Sequence, residues 1–345
     1  MRKTLWLVLF LALASPAASP APLRVSLPPL LGSVPIALGN TWRAFAEQGV
    51  EVELVPLASQ RDRLVAFQAG QIDAMVADLT SALMLAAQIP EQLVITSTAY
   101  YPEPDSVPGM THSHLALISQ QYAGVDSLAA LVDQASKRSA LRIAVPRQSD
   151  LEFALDQLFL SQGLPPPVHA YAGQDNLLQN ATWVMFGMAA AGVFPEPYTD
   201  YMLNYDFEGK PQLTILSDFS GVPYPPSVIV FQRETLTVHG EQVAAFYRAL
   251  TAVIDQLNAT ARQELIQVGW TMAAELFFPG LSPENMPAGS KAQVEAALAK
   301  VVIPHFPHPA PIPEEVFAAV TAWAKEKKYL AATVEYEQVV DFWGS

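Results

Sequence analysis

Two acidic residues stand at matching places in two similar stretches of the chain. The run from Phe67 to Asp78 reads helix, glycine, apolar strand, acid, and the run from Phe186 to Glu196 reads the same way. Gly70 precedes Asp78 by eight positions, and Gly187 precedes Glu196 by nine. In open α/β sheets, ligands sit in the crevice beyond the carboxyl ends of the strands, where helix N-termini present free backbone N–H groups. A carboxylate at such an exit is placed to accept N–H donors from a bound molecule. Two similar units, each ending a strand in an acid, could face one another across a single cleft. The other strand exits add Leu31-Gly32-Ser33, Ser59-Gln60-Arg61, Tyr100-Tyr101, Pro146-Arg147-Gln148-Ser149 and Pro195-Glu196-Pro197-Tyr198. Ser33, Ser59, Ser149 and Asp78 are also good helix caps whatever is bound.

Catalytic and cofactor signatures are absent. The chain has no G-x-G-x-x-G, no G-x-x-x-x-G-K-[ST], no H-E-x-x-H and no G-x-S-x-G. Its six histidines are scattered, and only His112 with His114 and His305 with His308 lie close together. A metal site needs three or four converging ligands. The expectation is therefore no catalytic residue, no metal and no cofactor. Asn180-Ala181-Thr182 and Asn258-Ala259-Thr260 match the glycosylation sequon but fall in predicted helices, so they read as chance matches.

The elements that must position these residues alternate. Strands are predicted at Leu23–Leu27, Val50–Val55, Ala74–Ala77 and Leu93–Ser97. Helices are predicted from Ser33 to Gln48, from Ser59 to Gly70 and over Thr80–Gln88. Pro35 fits a first helical turn and Gly70 a helix end. After a proline-rich loop over 101–111, a second series runs through strands Leu115–Ser119, Leu141–Val145, Val168–Tyr171, Ala189–Phe194, Leu213–Leu216 and Ser227–Phe231. Its helices lie near Ser127–Gln134, Asp150–Gln162 and Asn176–Phe186, with a short one after Pro195. Such alternation implies βαβ units and parallel sheets. Beyond Glu234 the pattern is helical: Glu241–Leu257, Arg262–Leu276, Lys291–Val301 and Glu314–Lys327. A tail of that kind is expected to pack back onto an earlier unit.

The N-terminus carries an export signal. Arg2 and Lys3 precede an apolar run from Leu5 to Leu13, then small residues through Ala18. This is the order of a secretory signal peptide, expected over residues 1–20. The run is far shorter than the roughly 20 residues that span a bilayer. Of 345 residues, 51% are hydrophobic and 15% charged, so disorder is excluded and a large core can form. The formal charge is −14, from 33 acidic and 19 basic residues, which argues against nucleic-acid or anionic-membrane partners. With no cysteine, disulfides, thiolate metal sites, cysteine nucleophiles and a lipid-modified N-terminal cysteine are all excluded.

Taken together, the order of elements resembles one family. The carriers are Gly70-Gln71-Ile72-Asp73-Ala74, the Leu141–Arg147 strand exit and Glu196-Pro197-Tyr198 after an apolar strand. The carboxyl half adds Tyr224-Pro225-Pro226-Ser227 before a long helix, and a closing helix with Trp323. They resemble the periplasmic solute-binding proteins of ABC importers for nitrate, sulfonate, taurine and thiamine precursors, over essentially the whole mature chain. The family's aspartate in the second glycine segment is missing, where this chain has Gly187-Met188-Ala189-Ala190-Ala191, and Pro195 stands where an aromatic usually precedes the glutamate.

The resemblance implies an α/β, two-lobed periplasmic binding protein of type II, each lobe a mainly parallel sheet flanked by helices, with the ligand cleft between them. Residues 21–111 and 221–345 would form lobe 1, and 112–220 lobe 2. It implies a freely diffusing, monomeric periplasmic protein that closes on a small molecule and presents it to an ABC permease and its ATPase. Family ligands are oxyanions or aromatic heterocycles. An oxyanion would want Arg147, the helix N-terminus near Asp150, or Arg61. Two cleft carboxylates repel an anion, so Asp78 and Glu196 suit instead a heterocycle carrying amino groups. Tyr100, Tyr101, Tyr198 and Tyr224, with Trp42 or Trp183, would stack on its faces, unless they serve the lobe cores. Expected ligand contacts are Ser33, Gln60, Asp78, Tyr100, Tyr101, Arg147, Glu196, Tyr198 and Tyr224. A sulfonate, taurine or nitrate ligand is the second expectation, and a secreted enzyme the remote third.

Overall fold

The structure is a computed structural model that describes residues 21–344, apart from 58, 102–114, 121–123, 205–208, 210–211, 262–263, 266–275, 277–291 and 293–303. The expected signal segment, the two close histidines at 112 and 114, and most of the helices expected over 262–276 and 291–301 lie outside the described residues.

Among the described residues, ten strands form two five-stranded sheets, one per lobe. In lobe 1 the strands are β1 (Leu23–Ser26), β2 (Val52–Leu54), β3 (Ala74–Asp78), β4 (Leu93–Tyr100) and β10 (Ser227–Gln232), in the order β2-β1-β3-β10-β4. The β1 strand is parallel to β2 and β3, while β10 runs antiparallel between β3 and β4, with Ile229 opposite Val76. In lobe 2 they are β5 (Leu115–Gln120), β6 (Ile143–Ala144), β7 (Tyr171–Ala172), β8 (Ala191–Pro195) and β9 (Leu213–Ser217), in the order β7-β6-β8-β5-β9. Here β5 runs antiparallel between β8 and β9. The two sheets thus repeat one plan. In each, the antiparallel strand is the one that enters as the chain crosses from the other lobe: β5 after β4, and β10 after β9.

Both faces of the lobe 1 sheet are covered, which is why its strands read as unbroken apolar runs. Side chains alternate between the faces. Ala74, Val76, Ile229 and Phe231 face one core, with α1 (Val34–Thr41) and α10 (Gly240–Ala259). Met75, Ala77, Val228 and Val230 face the other, with α4 (Leu79–Ala86) and the closing helix α11 (Glu314–Glu326). The Phe45 and Phe246 rings stack at 5.0 Å, and Phe231 meets Phe246 edge-on at 5.7 Å. Each such ring contributes about 1.5–3 kcal/mol by leaving water.

Local signals account for most element ends. The Ser59, Ser127, Ser149 and Asn176 side chains each accept a backbone N–H in the first turn of α3 (Gln60–Gln68), α5 (Leu128–Lys137), α6 (Asp150–Ser161) and α7 (Leu177–Met185). The single helix expected from Ser33 to Gln48 is instead a 3-10 turn over Leu31–Ser33, then α1, then α2 (Ala44–Glu47). The break falls at Arg43, whose φ of 61° is left-handed, a conformation no helix continues through. Similarly, Val168–Ala170 is a 3-10 turn, so the strand expected there shortens to Tyr171–Ala172.

The tail does pack back. The α11 helix covers α4, and the chain end runs beside β4, where Asp341 N donates to Ile95 O and Trp343 N to Thr96 O. No helix among the described residues is long and apolar enough to cross a membrane. The sequon asparagines are structural: Asn180, fully buried, bonds both backbone groups of Gln174, and Asn258 bonds those of Phe306.

Candidate functional site

The lobes meet at the start of α4. Strand β3 ends in Asp78, whose Oδ1 accepts the Ser81 N–H at 2.6 Å. The two N–H groups before it are taken from the other lobe. Leu79 N donates to Asp150 Oδ2 at 2.8 Å, and Thr80 N and Thr80 Oγ1 donate to Asp150 Oδ1 at 2.9 and 2.6 Å. Three successive donors of one helical turn are therefore satisfied by two carboxylates, one per lobe. Free N–H groups and the helix dipole both favour negative charge there. Asp150 reaches this place because Ser149 starts α6 on it, accepting the Glu152 N–H and donating to Pro146 O.

Crowding the two acids together out of water opposes their ionisation. Burial, with help from Asp78, pushes the Asp150 carboxyl up to about 8. Burial also pushes Asp78 up to about 6, against the hydrogen bonds from Ser81 and the attraction of Arg63. Across the cleft Glu196, 2% exposed, is pushed up to about 8 by burial and then by Asp200. The Tyr224 phenol rises well above its usual value through burial, then Asp150, Asp78 and Tyr100, and Tyr100 rises through burial and then Glu196. Asp78, Asp150, Tyr224, Tyr100 and Glu196 thus form a chain in which each group lies within electrostatic reach of the next.

The other expected contacts divide. Gln60 Nε2 donates to Ser81 Oγ, beside a small hollow of about 20 Å³, room for about one water, lined by Gln60, Arg63, Leu30 and Asp78. The Ser33 hydroxyl is fully buried and makes no hydrogen bond, so it does not cap α1 through its side chain. Tyr100 packs in the lobe 1 core, 5.7 Å from the Phe306 ring, and Tyr198, 1% exposed, in the lobe 2 core. Tyr224 is part-buried against lobe 2, Tyr101 is part-buried at the end of β4, and Trp42 and Trp183 lie against the cores of lobes 1 and 2. Arg147 is exposed and bonds Glu152 at 3.0 Å and the Tyr329 hydroxyl at 2.8 Å.

Sequence reasoning missed several partners. Asp150 marked only a helix start there, whereas its side chain spans the lobes. Arg63 is 7% exposed, donates to Leu57 O, and is lowered to about 10 by burial. A second inter-lobe network joins α6 to the end of α11. Asp156 accepts from Trp323 Nε1 at 2.9 Å and Tyr171 Oη at 3.0 Å, and pairs with Lys327 at 2.6 Å. Glu152 accepts from Tyr329, and Phe153 meets Trp323 edge-on at 5.4 Å. No spacing signals these pairs, which lie up to 177 residues apart. No group of three His, Asp or Glu among the described residues is arranged to hold a metal ion.

No family model and no curated protein sequence matches the chain. Solved structures do. The alkanesulfonate-binding protein SsuA from Xanthomonas axonopodis pv. citri, bound to MOPS, is similar with TM-score 0.67 and 19% identity, over 94% of this chain and 100% of that one. The periplasmic nitrate-binding protein NrtA from Synechocystis PCC 6803 is similar with TM-score 0.55 and 12% identity, over 90% and 91%. A Candida albicans gene product described as having the generic periplasmic binding protein fold is similar with TM-score 0.61 and 15% identity, over 93% and 96%. The two matched sheets, the two chain crossings and these likenesses together show that the chain has the two-lobed periplasmic binding protein fold.

Proposed function

We propose that the chain is the extracytoplasmic solute-binding component of an ABC importer, which closes on a small aromatic heterocycle bearing amino groups and delivers it to a permease and its ATPase. The fold supports the binding role, since one neighbour is named as the ligand-binding component of an ABC-type import system and others as alkanesulfonate- and nitrate-binding proteins. The observation that carries the ligand class is the linked set Asp78, Asp150, Glu196, Tyr100 and Tyr224 where the lobes meet. Buried carboxylates are strong acceptors for N–H donors, and a ligand cation relieves the repulsion between them. A thiamine-precursor-like aminopyrimidine has this chemistry. In this reading the protein is exported by its first 20 residues, stays unlipidated and monomeric in the periplasm, and binds rather than converts its solute. Residues 21–111 with 221–345, and 112–220, are the two lobes that close.

One observation favours a second reading. Arg63 presents a buried guanidinium beside the hollow, which would suit a sulfonate, taurine or nitrate. Thermal-shift and calorimetric titration of the mature protein separates the two. The first reading predicts stabilisation by aminopyrimidines, whereas stabilisation by alkanesulfonates alone would replace it with the second. Turnover of a candidate solute without a transporter would instead favour an enzyme.

A further inference from the structure

The first turn of a helix is a natural seat for an anion, because its N–H groups have no partner within the helix and the dipole adds attraction. At α4 this seat is filled from inside the molecule. Asp150 is 2% exposed and Thr80 fully buried, and the carboxylate takes both backbone donors and the threonine hydroxyl. An incoming oxyanion would have to displace a tethered group, whose local concentration is set by lobe closure rather than by solution. It would also have to settle next to Asp78 on the same turn.

Two separate observations in lobe 1 point to a solute: an orphan hydroxyl in the turn after β1, and a buried cation beside Asp78. Ser33 Oγ is fully buried with no hydrogen-bond partner, in the turn whose Gly32 backs onto Ser227 and Tyr100. Arg63, more than nine-tenths buried, donates from Nη1 to Leu57 O and lines the hollow shared with Gln60 and Asp78. Natural folds leave few buried polar groups unsatisfied, so the orphan Ser33 hydroxyl points to a missing partner.

We infer that Asp150 is the residue that sets the anion selectivity of the cleft: where the lobes meet, its tethered carboxyl oxygens occupy the donors of the α4 N-terminus, and so exclude sulfonate, sulfate and nitrate. The cleft is left to solutes that donate N–H groups. This rests on the reading of the cleft as a solute site, and its test can fail independently of the ligand class.

The test titrates the full mature chain with methanesulfonate, nitrate and inorganic sulfate by calorimetry at about neutral pH. Wild type, Asp150→Ala and Asp150→Ala with Thr80→Val are compared, with melting curves as controls. Wild type is expected to give no saturable anion binding. Asp150→Ala is expected to bind at least one of the anions about tenfold more tightly, or better, and Thr80→Val to weaken that gain. Wild type binding these anions as well as the variant does would overturn the inference, as would a folded Asp150→Ala that gains nothing. Should the alanine variant fail to fold, Asp150→Ser, whose shorter side chain withdraws the acceptors from Leu79 and Thr80, carries the same two outcomes. If wild type binds no amino-heterocycle while Asp150→Ala gains an anion, the exclusion role stands and the ligand class falls.

Discussion

Asp78 and Asp150 belong to different lobes yet cap the same turn of α4, Asp78 through the Ser81 N–H and Asp150 through Leu79 and Thr80. Two like charges on one helix end are tolerable only while protons, or a bound cation, offset their repulsion. That relationship ties lobe closure, ligand chemistry and pH together.

The first prediction concerns pH. Folding raises Asp150 from 3.8 to about 8, Asp78 from 3.8 to about 6 and Glu196 from 4.5 to about 8. The native form holds protons that the unfolded chain has already released, so their contribution is fully present below about pH 4 and is lost as pH rises through 6 to 8. Asp175 adds to the rise of Asp78 and Asp200 to that of Glu196, while Arg63 and the hydrogen bonds from Ser81, Leu79, Thr80 and the Asp200 N–H oppose it. Calorimetry without ligand should show the Tm falling by about 5 °C or more between about pH 5 and pH 8.5. Asp150→Asn should flatten that slope. A slope unchanged by the substitution would mean that the pair does not titrate there.

The α6–α11 network should hold the lobes together. Glu152 and Asp156 have 0% and 3% exposed side chains, and Lys327, 18% exposed, pairs with both at 3.5 and 2.6 Å. Lys327→Met would leave the Asp156 carboxylate buried with only the neutral donors Tyr171 and Trp323. The expected cost is about 2 kcal/mol in urea denaturation, below the usual penalty for a broken buried pair because Lys327 keeps some water and Arg147 still serves Glu152. A cost near zero would show the pair to be fully solvated.

Ser33 separates binding from stability. Its hydroxyl is buried without a partner, so Ser33→Ala should leave the Tm unchanged or raise it by up to about 2 °C. Affinity for the solute should fall, since the ligand would lose the donor or acceptor it completes. A lower Tm with unchanged affinity would assign Ser33 to the fold alone.

What was legible in the sequence depended on the range of the interaction. Short apolar runs such as Ala74–Ala77 and Ser227–Phe231 announced buried strands, and Ser59, Ser127, Ser149 and Asn176 announced helix starts, because those signals lie within a few residues. The break at Arg43 gave no warning, as no glycine marks its left-handed backbone. Nor did β5 and β10 differ in pattern from their parallel neighbours, because burial on both faces erases direction. Asp78 and Glu196 were visible as strand-end acids. Their link through Tyr100 and Tyr224, and the reach of Asp150 across 71 residues to Leu79, depend on how the lobes meet, which no local spacing encodes.

The central claim is that the inter-lobe carboxylates capture a solute rich in N–H donors. Calorimetric titration of the mature protein with an aminopyrimidine, alongside Asp78→Asn and Glu196→Gln, tests it most directly. The account predicts saturable one-site binding by wild type and a loss of about tenfold or more in each variant, with melting curves preserved. Binding of methanesulfonate or nitrate alone, with an affinity indifferent to both substitutions, would contradict it.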